Sequence, residues 1–361
     1  MSTLECRACG RTYRPGPGEP WRCSCGSALD FAERPLPTGD PDVDPLDGLR
    51  AFEAFLPVAP AVTLGEGFTP LAAAPSWDAR FKLDYVLPSG SFKDRGAAVM
   101  LSRAVELGVD RVLEDSSGNA GAAVAQYAAR AGIPAKIYVP AGAKPAKLRA
   151  IERAGATLVQ VGGARQNATD ACVEAVEAGE GWYASHAWNP AFYAGTATFA
   201  YELAAQFDWA VPDAVVLPIG HGTLFLGAYR GFRALFDAGW TDAVPRLLGV
   251  QAAGAAPLAD DLHGATDAGP TEENALAAGI RIREPARRSQ LSGAVEATDG
   301  DVIAVGREAT EAALDALHRA GFYCEATSAV ATAGLAAYRE SGTLSGDADV
   351  VVALTGSGLK G

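Results

Sequence analysis

Short apolar strand patterns alternate with Ala-rich helical patterns along the chain, and this alternation constrains the fold more than any other feature. A strand pattern at 112–114 precedes a helical pattern at 119–131, and a strand at 135–139 precedes a helix at 145–154. Repeated units of this length predict parallel sheets covered by helices, because parallel strands need a crossover connection. The other predicted elements are strands at 157–161, 214–219, 246–250 and 349–354, and helices at 164–178, 223–238, 307–320 and 329–341.

Composition divides the chain into zones. Its 361 residues exceed one typical core, so we expect more than one domain. Residues 1–35 hold four of the six cysteines, and residues 36–48 are rich in Pro, Asp and Gly, which predicts a linker. The α/β patterns that follow predict two lobes with a cleft between them. We assign residues 49–90 and 200–361 to a large lobe and residues 91–199 to a small lobe.

Charge and hydropathy exclude several kinds of partner. The net charge is −13 and no basic face is apparent, so we expect no nucleic-acid partner. No apolar run is long enough to cross a bilayer, so we expect no membrane association. The first residues lack the basic and then apolar regions of a signal peptide. These patterns predict a cytoplasmic protein.

Lys93 lies in the run Ser89-Gly90-Ser91-Phe92-Lys93-Asp94-Arg95-Gly96, after a Gly-containing turn and at the start of an apolar helical pattern. A lysine there can point into a pocket, where N–H dipoles and nearby cations lower its pKa. The free amine is the form that makes a Schiff base with a carbonyl group. The ordinary alternative is a solvated lysine. Because the chain has only six lysines, we interpret Lys93 as catalytic.

A second segment, Ser116-Ser117-Gly118-Asn119-Ala120, joins a predicted strand to a predicted helix. Small residues with exposed N–H groups at a helix start form an anion site, which suits the carboxylate of a substrate. The alternative is an ordinary strand-to-helix loop in which Ser or Asn caps the helix. We expect Ser116, Ser117, Gly118 and Ala120 to contact the substrate.

Two more Gly-rich segments follow strands. Gly220-His221-Gly222-Thr223 allows close backbone approach at a helix start and predicts a phosphate site, although the ordinary interpretation of the His221 side chain is a loop residue. Position 225 is Phe, so the segment is not a dinucleotide fingerprint. Near the C-terminus, Thr355 and Ser357 offer hydroxyl groups that could bond a ring nitrogen.

Taken together, these segments resemble the threonine synthase branch of the pyridoxal phosphate (PLP) enzymes of tryptophan-synthase-β type, also called fold type II. The resemblance runs from about Leu64 to the C-terminus. It implies two lobes with parallel sheets wrapped by helices, and a small-molecule amino-acid substrate. A homodimer is a possible assembly. The segments that carry the resemblance are 64–71, 91–96, 117–121, Asn189-Pro190, Tyr201-Glu202, 325–329 and 355–360.

The resemblance also implies roles for single residues. Lys93 would hold PLP as a Schiff base and move protons. Asn119 would bond the phenolic oxygen of the cofactor, and residues 220–223 would hold its phosphate. Thr355 would meet the pyridine nitrogen. A neutral hydroxyl at that nitrogen suits elimination and replacement chemistry, which makes the chain a PLP-dependent lyase or synthase.

The segment after Asn189-Pro190 keeps the substrate open. In the family it usually carries an Arg and later a Lys, but here residues 191–198 contain neither. Each missing charge-assisted bond to a substrate phosphate is worth about 1.5–3 kcal/mol. Threonine synthase, acting on O-phospho-L-homoserine, is our first hypothesis. The alternatives are a Ser/Thr dehydratase or β-replacement synthase of the same fold, and a PLP-binding protein without catalysis.

Four cysteines near the N-terminus form the pairs Cys6-x2-Cys9 and Cys23-x-Cys25, separated by thirteen residues. A Gly follows the second cysteine of each pair, as tight metal-binding turns prefer. Four thiolates on two short turns suit tetrahedral zinc, and two disulfides are the disfavoured alternative in a cytosolic chain. We expect a closed, structural zinc site in a small zinc-ribbon-like domain, similar to one found in archaeal threonine-synthase-like chains.

Overall fold

The computed structural model describes residues 1–39, 41–143, 145–264 and 273–360. These residues confirm the expected α/β class with parallel sheets wrapped by helices. The strands are β1 (Leu4–Glu5), β2 (Thr12–Tyr13), β3 (Asp30–Phe31), β4 (Leu71–Ala74), β5 (Ala79–Lys82), β6 (Val112–Glu114), β7 (Ala135–Pro140), β8 (Thr157–Val161), β9 (Trp182–Tyr183), β10 (Ala214–Pro218), β11 (Arg246–Ala252), β12 (Asp301–Val305) and β13 (Val350–Ala353).

Helices connect and cover these strands. Short 3-10 helices lie at Pro45–Phe55, Pro75–Trp77, Asp84–Val86, Ala275–Ile280 and Gly358–Lys360. The α-helices are α1 (Lys93–Leu107), α2 (Asn119–Ala131), α3 (Pro145–Arg153), α4 (Arg165–Glu177), α5 (Pro190–Gln206), α6 (Thr223–Asp237), α7 (Pro257–His263), α8 (Arg288–Ala297), α9 (Arg307–Arg319) and α10 (Ala326–Glu340).

The two larger sheets share one topological property. The four-stranded sheet has the order β8-β7-β6-β9, and its neighbouring strands are all parallel. The six-stranded sheet has the order β12-β11-β10-β13-β5-β4, parallel except for the β4–β5 pair. In the four-stranded sheet the chain proceeds outward from β6 through β7 to β8 and then returns to the other side of β6 as β9. In the six-stranded sheet it proceeds outward from β10 through β11 to β12 and returns to the other side of β10 as β13. The reversals lie between β6 and β9 and between β10 and β13.

Reversals of strand order matter because the loops at the carboxyl ends of the two strands separate there and leave a crevice. The loop after β6 contains Ser116, and the loop after β9 contains His186. The loop after β10 contains His221, and the chain after β13 contains Thr355. The topology therefore brings these loops to two crevices that can open into one cleft.

Helix α5 joins the two main cores. Its early residue Phe192 packs in the core of the four-stranded sheet, and Ala194 packs against that core too, whereas Tyr193 and the apolar residues from Ala197 onward pack in the core of the six-stranded sheet. Helices α1 and α5 touch through their backbones, since a Cβ at Gly195 would lie 2.0 Å from the Arg95 carbonyl oxygen. Only glycine fits there. The predicted lobe boundary at 199/200 falls inside α5 and stays a prediction, while the change of core occurs near residue 192.

The N-terminal module, residues 1–35, has its own small antiparallel sheet in the order β2-β1-β3. Its Leu4 and Phe31 belong to the same core cluster as helices α1 and α2. Asp30 accepts hydrogen bonds from Arg230 at 2.8 Å and from Arg287 at 2.9 Å. These contacts dock the module onto the rest of the molecule.

Several elements differ from the sequence prediction. Helix α10 begins at Ala326, three residues before the expected start, because its polar first turn looked like a loop. The predicted linker 36–48 ends inside the 3-10 helix Pro45–Phe55, where Gly48 and Leu49 are buried. Strand β9 has only two residues, too few to give a pattern. No interval was predicted for α5, α8 or β12.

Candidate active site

The predicted site residues line one cavity of about 280 Å³. It lies between the loops that follow β6, β10 and β13, with the start of α1 on one wall. The structure thus brings together residues that are as far apart in sequence as Lys93 and Thr355. The predicted residues that line the cavity are Lys93, Ser116, Ser117, Gly118, Asn119, Ala120, Gly220, His221, Gly222, Thr223 and Thr355.

Lys93 is the first residue of α1, and its ammonium nitrogen lies 3.6 Å from the centre of the Phe92 ring. Burial lowers its pKa from 10.5 to about 7, although Glu325 acts in the opposite direction. Desolvation is therefore a larger cause than the nearby cations that the sequence suggested. Lys93 can supply a free amine near neutral pH.

Four buried charged side chains hold the start of α1 in place. The Arg95 guanidinium bonds both oxygens of Asp84, at 2.8 and 2.7 Å, and one oxygen of Glu202 at 2.7 Å. Lys82 completes the group through its contact with Glu202. Two positive and two negative charges cancel, and both carboxylates are bonded by donors. We call Lys82, Asp84, Arg95 and Glu202 the charge cluster, and it fixes the backbone two residues from Lys93.

Asn119 is oriented by a residue from the other end of the chain. Its amide nitrogen donates a hydrogen bond of 2.9 Å to Glu325 Oε1, and Thr327 bonds the same oxygen. The amide carries two hydrogens, so one remains for a ligand. Glu325 is the N-cap residue of α10 and lines the cavity. The sequence gave no role to Glu325, although the segment 325–329 is one of those that carry the family resemblance.

The loop before α6 is shaped by Gly222, the N-cap residue, whose φ of 72° lies in the left-handed region. A side chain there would also collide with Leu291, because a Cβ would lie 2.3 Å from its Cδ2. No side chain caps the helix, so the first N–H groups of α6 are free to bind an anion. Gly220 and Thr223 complete this loop at the cavity.

Thr355 lines the cavity and is held by Ser328 of α10. The Ser328 hydroxyl oxygen accepts hydrogen bonds from the backbone nitrogens of Thr355, at 2.9 Å, and Gly356, at 3.0 Å. The two hydroxyl oxygens lie 3.3 Å apart. The Thr355 hydroxyl is therefore positioned by a neighbour that sequence reasoning did not single out.

His186 and Arg165 also line the cavity, and sequence reasoning missed both. His186 follows β9, and its ring lies 5.4 Å from the ring of His221. Arg165 follows β8 and begins α4. A signal existed for each: Arg165 begins a helix that follows a strand, as Asn119 does, and His186 is one of only four histidines.

Comparison with known families shows which kind of enzyme the chain is. A family described as "Pyridoxal-phosphate dependent enzyme" matches residues 62–356. The chain belongs to this family of PLP-dependent enzymes. The expected resemblance is confirmed, and so is the expected enzyme class.

Two curated relatives of this PLP-dependent enzyme are threonine synthases of archaea. The threonine synthase of Methanosarcina acetivorans is 34% identical over 86% of this chain and 79% of its own length. The threonine synthase of Methanocaldococcus jannaschii is 31% identical over 99% of this chain and 92% of its own length. Among solved structures, a threonine deaminase from T.th. has a TM-score of 0.67 and 26% identity, covering 80% of this chain and 92% of that one.

The residues of this PLP-dependent enzyme fit its cofactor. A lysine with a lowered pKa lies in the cavity wall, so an aldehyde can be bound covalently. The uncapped start of α6 offers N–H groups for a phosphate, and the Thr355 hydroxyl can meet a ring nitrogen. His221 Nδ1 is buried and has no hydrogen-bond partner among the described residues.

The four predicted metal ligands also come together. The sulfur atoms of Cys6, Cys9, Cys23 and Cys25 all lie within 4.8 Å of one another. The Cys6–Cys25 and Cys9–Cys23 sulfur pairs are each 3.5 Å apart. None of the described cysteines forms a disulfide.

Among the parts of the chain that the structure describes, no helix is long and apolar enough to cross a bilayer.

Proposed function

We propose that the enzyme is a threonine synthase, which converts O-phospho-L-homoserine and water into L-threonine and phosphate. The observation that carries the proposal is the shared name of relatives 31–34% identical over most of the chain. In this reaction the bond between Cγ and the phosphate oxygen breaks, and the hydroxyl of water is added at Cβ. Protons must leave Cα and Cβ and return to Cα and Cγ.

Lys93 is the proposed proton carrier at the substrate Cα. PLP, when bound, stabilises negative charge that develops at that carbon. A pKa of about 7 leaves much of the Lys93 amine unprotonated at neutral pH, as a general base requires. The charge cluster keeps the first turn of α1 from moving, so the amine returns the proton from a fixed position.

The loop before α2 is the proposed binding site for the substrate carboxylate. Ser116, Ser117, Gly118 and Ala120 surround the start of this helix in the cavity. Its N–H groups and its dipole both favour a negative charge. Binding there would hold the substrate in the cavity that Lys93 also lines.

Three further groups are proposed to hold PLP. The backbone N–H groups of Gly220, His221, Gly222 and Thr223 would bind its phosphate at the start of α6, so this role does not use the His221 ring. Asn119, oriented by Glu325, would donate to its phenolic oxygen with the remaining amide hydrogen. Thr355 would meet the pyridine nitrogen, held in position by Ser328.

A Ser/Thr dehydratase is the second candidate function, and one observation favours it. The first turn of α5 offers no charge for a substrate phosphate: Phe192 is fully buried in the core, and Ala197 packs beside Gly231 of α6. The similarity to a threonine deaminase structure fits this alternative. A dehydratase would expel the β-hydroxyl of Ser or Thr and release a 2-oxo acid and ammonia.

One assay separates the candidates. Purified holoenzyme is supplied with O-phospho-L-homoserine, L-threonine or L-serine, and threonine, phosphate and 2-oxo acid are measured. We expect threonine and phosphate in equal amounts from the first substrate. Production of 2-oxo acid from Ser or Thr as the main activity would instead support the dehydratase.

The Lys93→Ala variant is the matched control for this assay. It should lose the absorption of lysine-bound PLP near the visible edge and lower turnover by about 10³-fold or more. An unchanged absorption band in Lys93→Ala would contradict the assignment of Lys93. If wild-type protein binds PLP but turns over none of these amino acids, the third hypothesis, a non-catalytic PLP-binding protein, is favoured.

We also propose that Cys6, Cys9, Cys23 and Cys25 bind one structural zinc ion. Zinc with four thiolates at about 2.3 Å places the sulfur atoms about 3.8 Å apart at tetrahedral geometry. The sulfur separations of 3.5 Å and at most 4.8 Å bracket that value. Four protein ligands leave no open position, so this ion would support the fold. A homodimer and a cytoplasmic location stay predictions.

A further inference from the structure

Arg165 is a cation in the cavity wall, and the proposed function gives it no role. It begins α4, is exposed, and makes neither an ion pair nor a hydrogen bond with any side chain that the structure describes. It lines the cofactor cavity and also an adjoining cavity of about 830 Å³. Lys93 is the other Lys or Arg side chain lining the cofactor cavity, and it is committed to PLP.

Two histidines share both cavities with Arg165. His186 Nδ1 lies 2.7 Å from Glu114 Oε1, and the His186 ring lies 5.4 Å from the His221 ring. This wall therefore combines one guanidinium with two imidazole rings. Such a group suits an oxyanion, because guanidinium and imidazole N–H groups both donate to oxygen.

The Glu114–His186 pair fixes which imidazole nitrogen carries hydrogen. Burial, and then Asp115, raise the pKa of Glu114 well above its ordinary value, which favours the protonated carboxyl. Burial, and then His221, lower the pKa of His186. A protonated Glu114 donates to Nδ1, and the neutral ring then carries its hydrogen on Nε2. His186 can therefore donate a hydrogen bond without bringing a second positive charge into the cavity.

The first turn of α5, where the resemblance leads one to expect a cation, cannot supply this charge. The first turn of α5 is apolar, and its Phe192 ring packs against Gly96, where a Cβ would lie 2.4 Å from it. An anionic side chain on the substrate, once its carboxylate is at α2 and its Cα near Lys93, must find its cation elsewhere. Arg165 follows the strand β8, two strands away from β6 in the same sheet.

We propose that Arg165, His186 and His221 form a distal oxyanion subsite, which binds the anionic end of the substrate side chain. The ligand chemistry is a tetrahedral phosphate ester or a side-chain carboxylate. This inference rests on the proposed function, since it names the residues that make an anionic substrate preferred. It also explains how a chain without cations in α5 can bind such a substrate.

The test compares Arg165→Gln and Arg165→Lys with wild-type holoenzyme. Arg283→Gln is the matched control, because Arg283 lines the adjoining cavity but not the cofactor cavity. Binding of inorganic phosphate and of L-glutamate is measured by titration calorimetry, and kcat and KM are measured with O-phospho-L-homoserine. L-serine binding serves as the neutral reference.

Arg165→Gln should weaken binding of the preferred anion and raise KM by roughly 10- to 100-fold. Arg165→Lys should recover part of the loss, and Arg283→Gln should stay near wild type. L-serine binding should not change. A preference for phosphate over L-glutamate, lost in Arg165→Gln, identifies the phosphate ester; the reverse preference identifies the carboxylate.

The outcomes separate the subsite from the proposed reaction. Suppose that wild type and Arg165→Gln convert O-phospho-L-homoserine with the same kcat/KM. This result would overturn the proposed subsite but would not contradict the threonine synthase reaction. Arg165-dependent anion binding without threonine formation would keep the subsite and remove the proposed reaction. Equal losses for anionic ligands and L-serine would mean a structural role for Arg165 and would also overturn the subsite.

Discussion

The two walls of the cavity are built in opposite ways. The Lys93 wall rests on the charge cluster, whose four side chains are almost completely buried and bonded to one another. The Arg165 wall has an exposed guanidinium that no described residue bonds, beside a loop that carries His186. The proposed cofactor attachment at Lys93 thus uses fixed geometry, whereas the proposed substrate contact at Arg165 uses a long side chain that can change its conformation.

The supports of the walls differ as well. The Lys93 wall is held by β5 and α5, within the two main lobes. The loop with His186 is held from outside by the N-terminal module: the Trp21 and Trp188 rings are 5.1 Å apart, and Arg287 bonds both Leu29 and Trp188 carbonyl oxygens at 2.6 Å. Breaking one support should therefore affect PLP binding, and breaking the other should affect substrate binding.

The largest effect is expected from Arg95→Met. Removing this guanidinium leaves Asp84 and Glu202 short of a positive charge inside the core, which should lower the free energy of unfolding by about 3–5 kcal/mol. The variant should also bind PLP more weakly, because the first turn of α1 loses its anchor. Urea unfolding and a PLP titration measure the two effects.

Arg319→Gln is the control for Arg95→Met. Arg319 pairs with Asp315 at 3.0 Å, but both side chains are more than half exposed. Loss of this surface pair should cost at most about 0.5 kcal/mol. Equal destabilisation of the two variants would show that the charge cluster contributes no more than a surface ion pair.

A smaller effect, on the other wall, is expected from zinc removal. Chelation, or the variant Cys9→Ser, should loosen the N-terminal module and with it the loop that carries His186. We expect KM for the anionic substrate to rise roughly five- to tenfold, with the absorption of lysine-bound PLP retained. Metal analysis and steady-state kinetics measure the result.

Ser24→Ala lies between two of the proposed ligands without being one, so it is the control for the zinc variants. It should keep both metal content and KM. If chelation removes PLP and leaves KM for the anionic substrate unchanged, it is wrong to assign PLP binding to the Lys93 wall and substrate binding to the Arg165 wall.

The smallest effect concerns the pH at which Lys93 captures PLP. Because the folded pKa is lowered to about 7, the capture rate of cofactor-free protein should rise with pH up to about 7 and then level off. The unfolded chain binds the lysine proton more tightly, so the cofactor-free protein should gain stability as pH rises from about 7 toward 10.5.

Two variants sharpen this pH prediction. Glu325 raises the Lys93 pKa and Lys360 lowers it, so Glu325→Gln should move the capture profile to lower pH and Lys360→Gln to higher pH. Stopped-flow absorbance near the visible edge measures the capture rate. A profile that rises only near pH 10.5 would show that burial does not activate Lys93.

The sequence predicted the parts of the site that depend on local pattern. Lys93, Asn119 and Thr223 each begin a helix, and the residue types around them indicate a turn that exposes N–H groups. Strand and helix intervals such as 112–114 and 119–131 were correct for the same reason. The roles assigned to these residues stay predictions.

What the sequence missed depends on contacts between distant segments. Glu325 orients Asn119 across 206 positions, and Arg95 meets Glu202 across 107. His186 follows a two-residue strand that exists only because it pairs with β6. No local pattern records such pairings, so the contacts of these residues could be assigned only after the topology was known.

The close approach of α1 and α5 at Gly195 has a mechanical consequence. It places Lys93 where the two cores meet, since α5 belongs to both cores and the backbone of α1 lies directly against it. A side chain at position 195 would push α1 away from α5 and displace Lys93 with it, although Gly195 itself does not line the cavity.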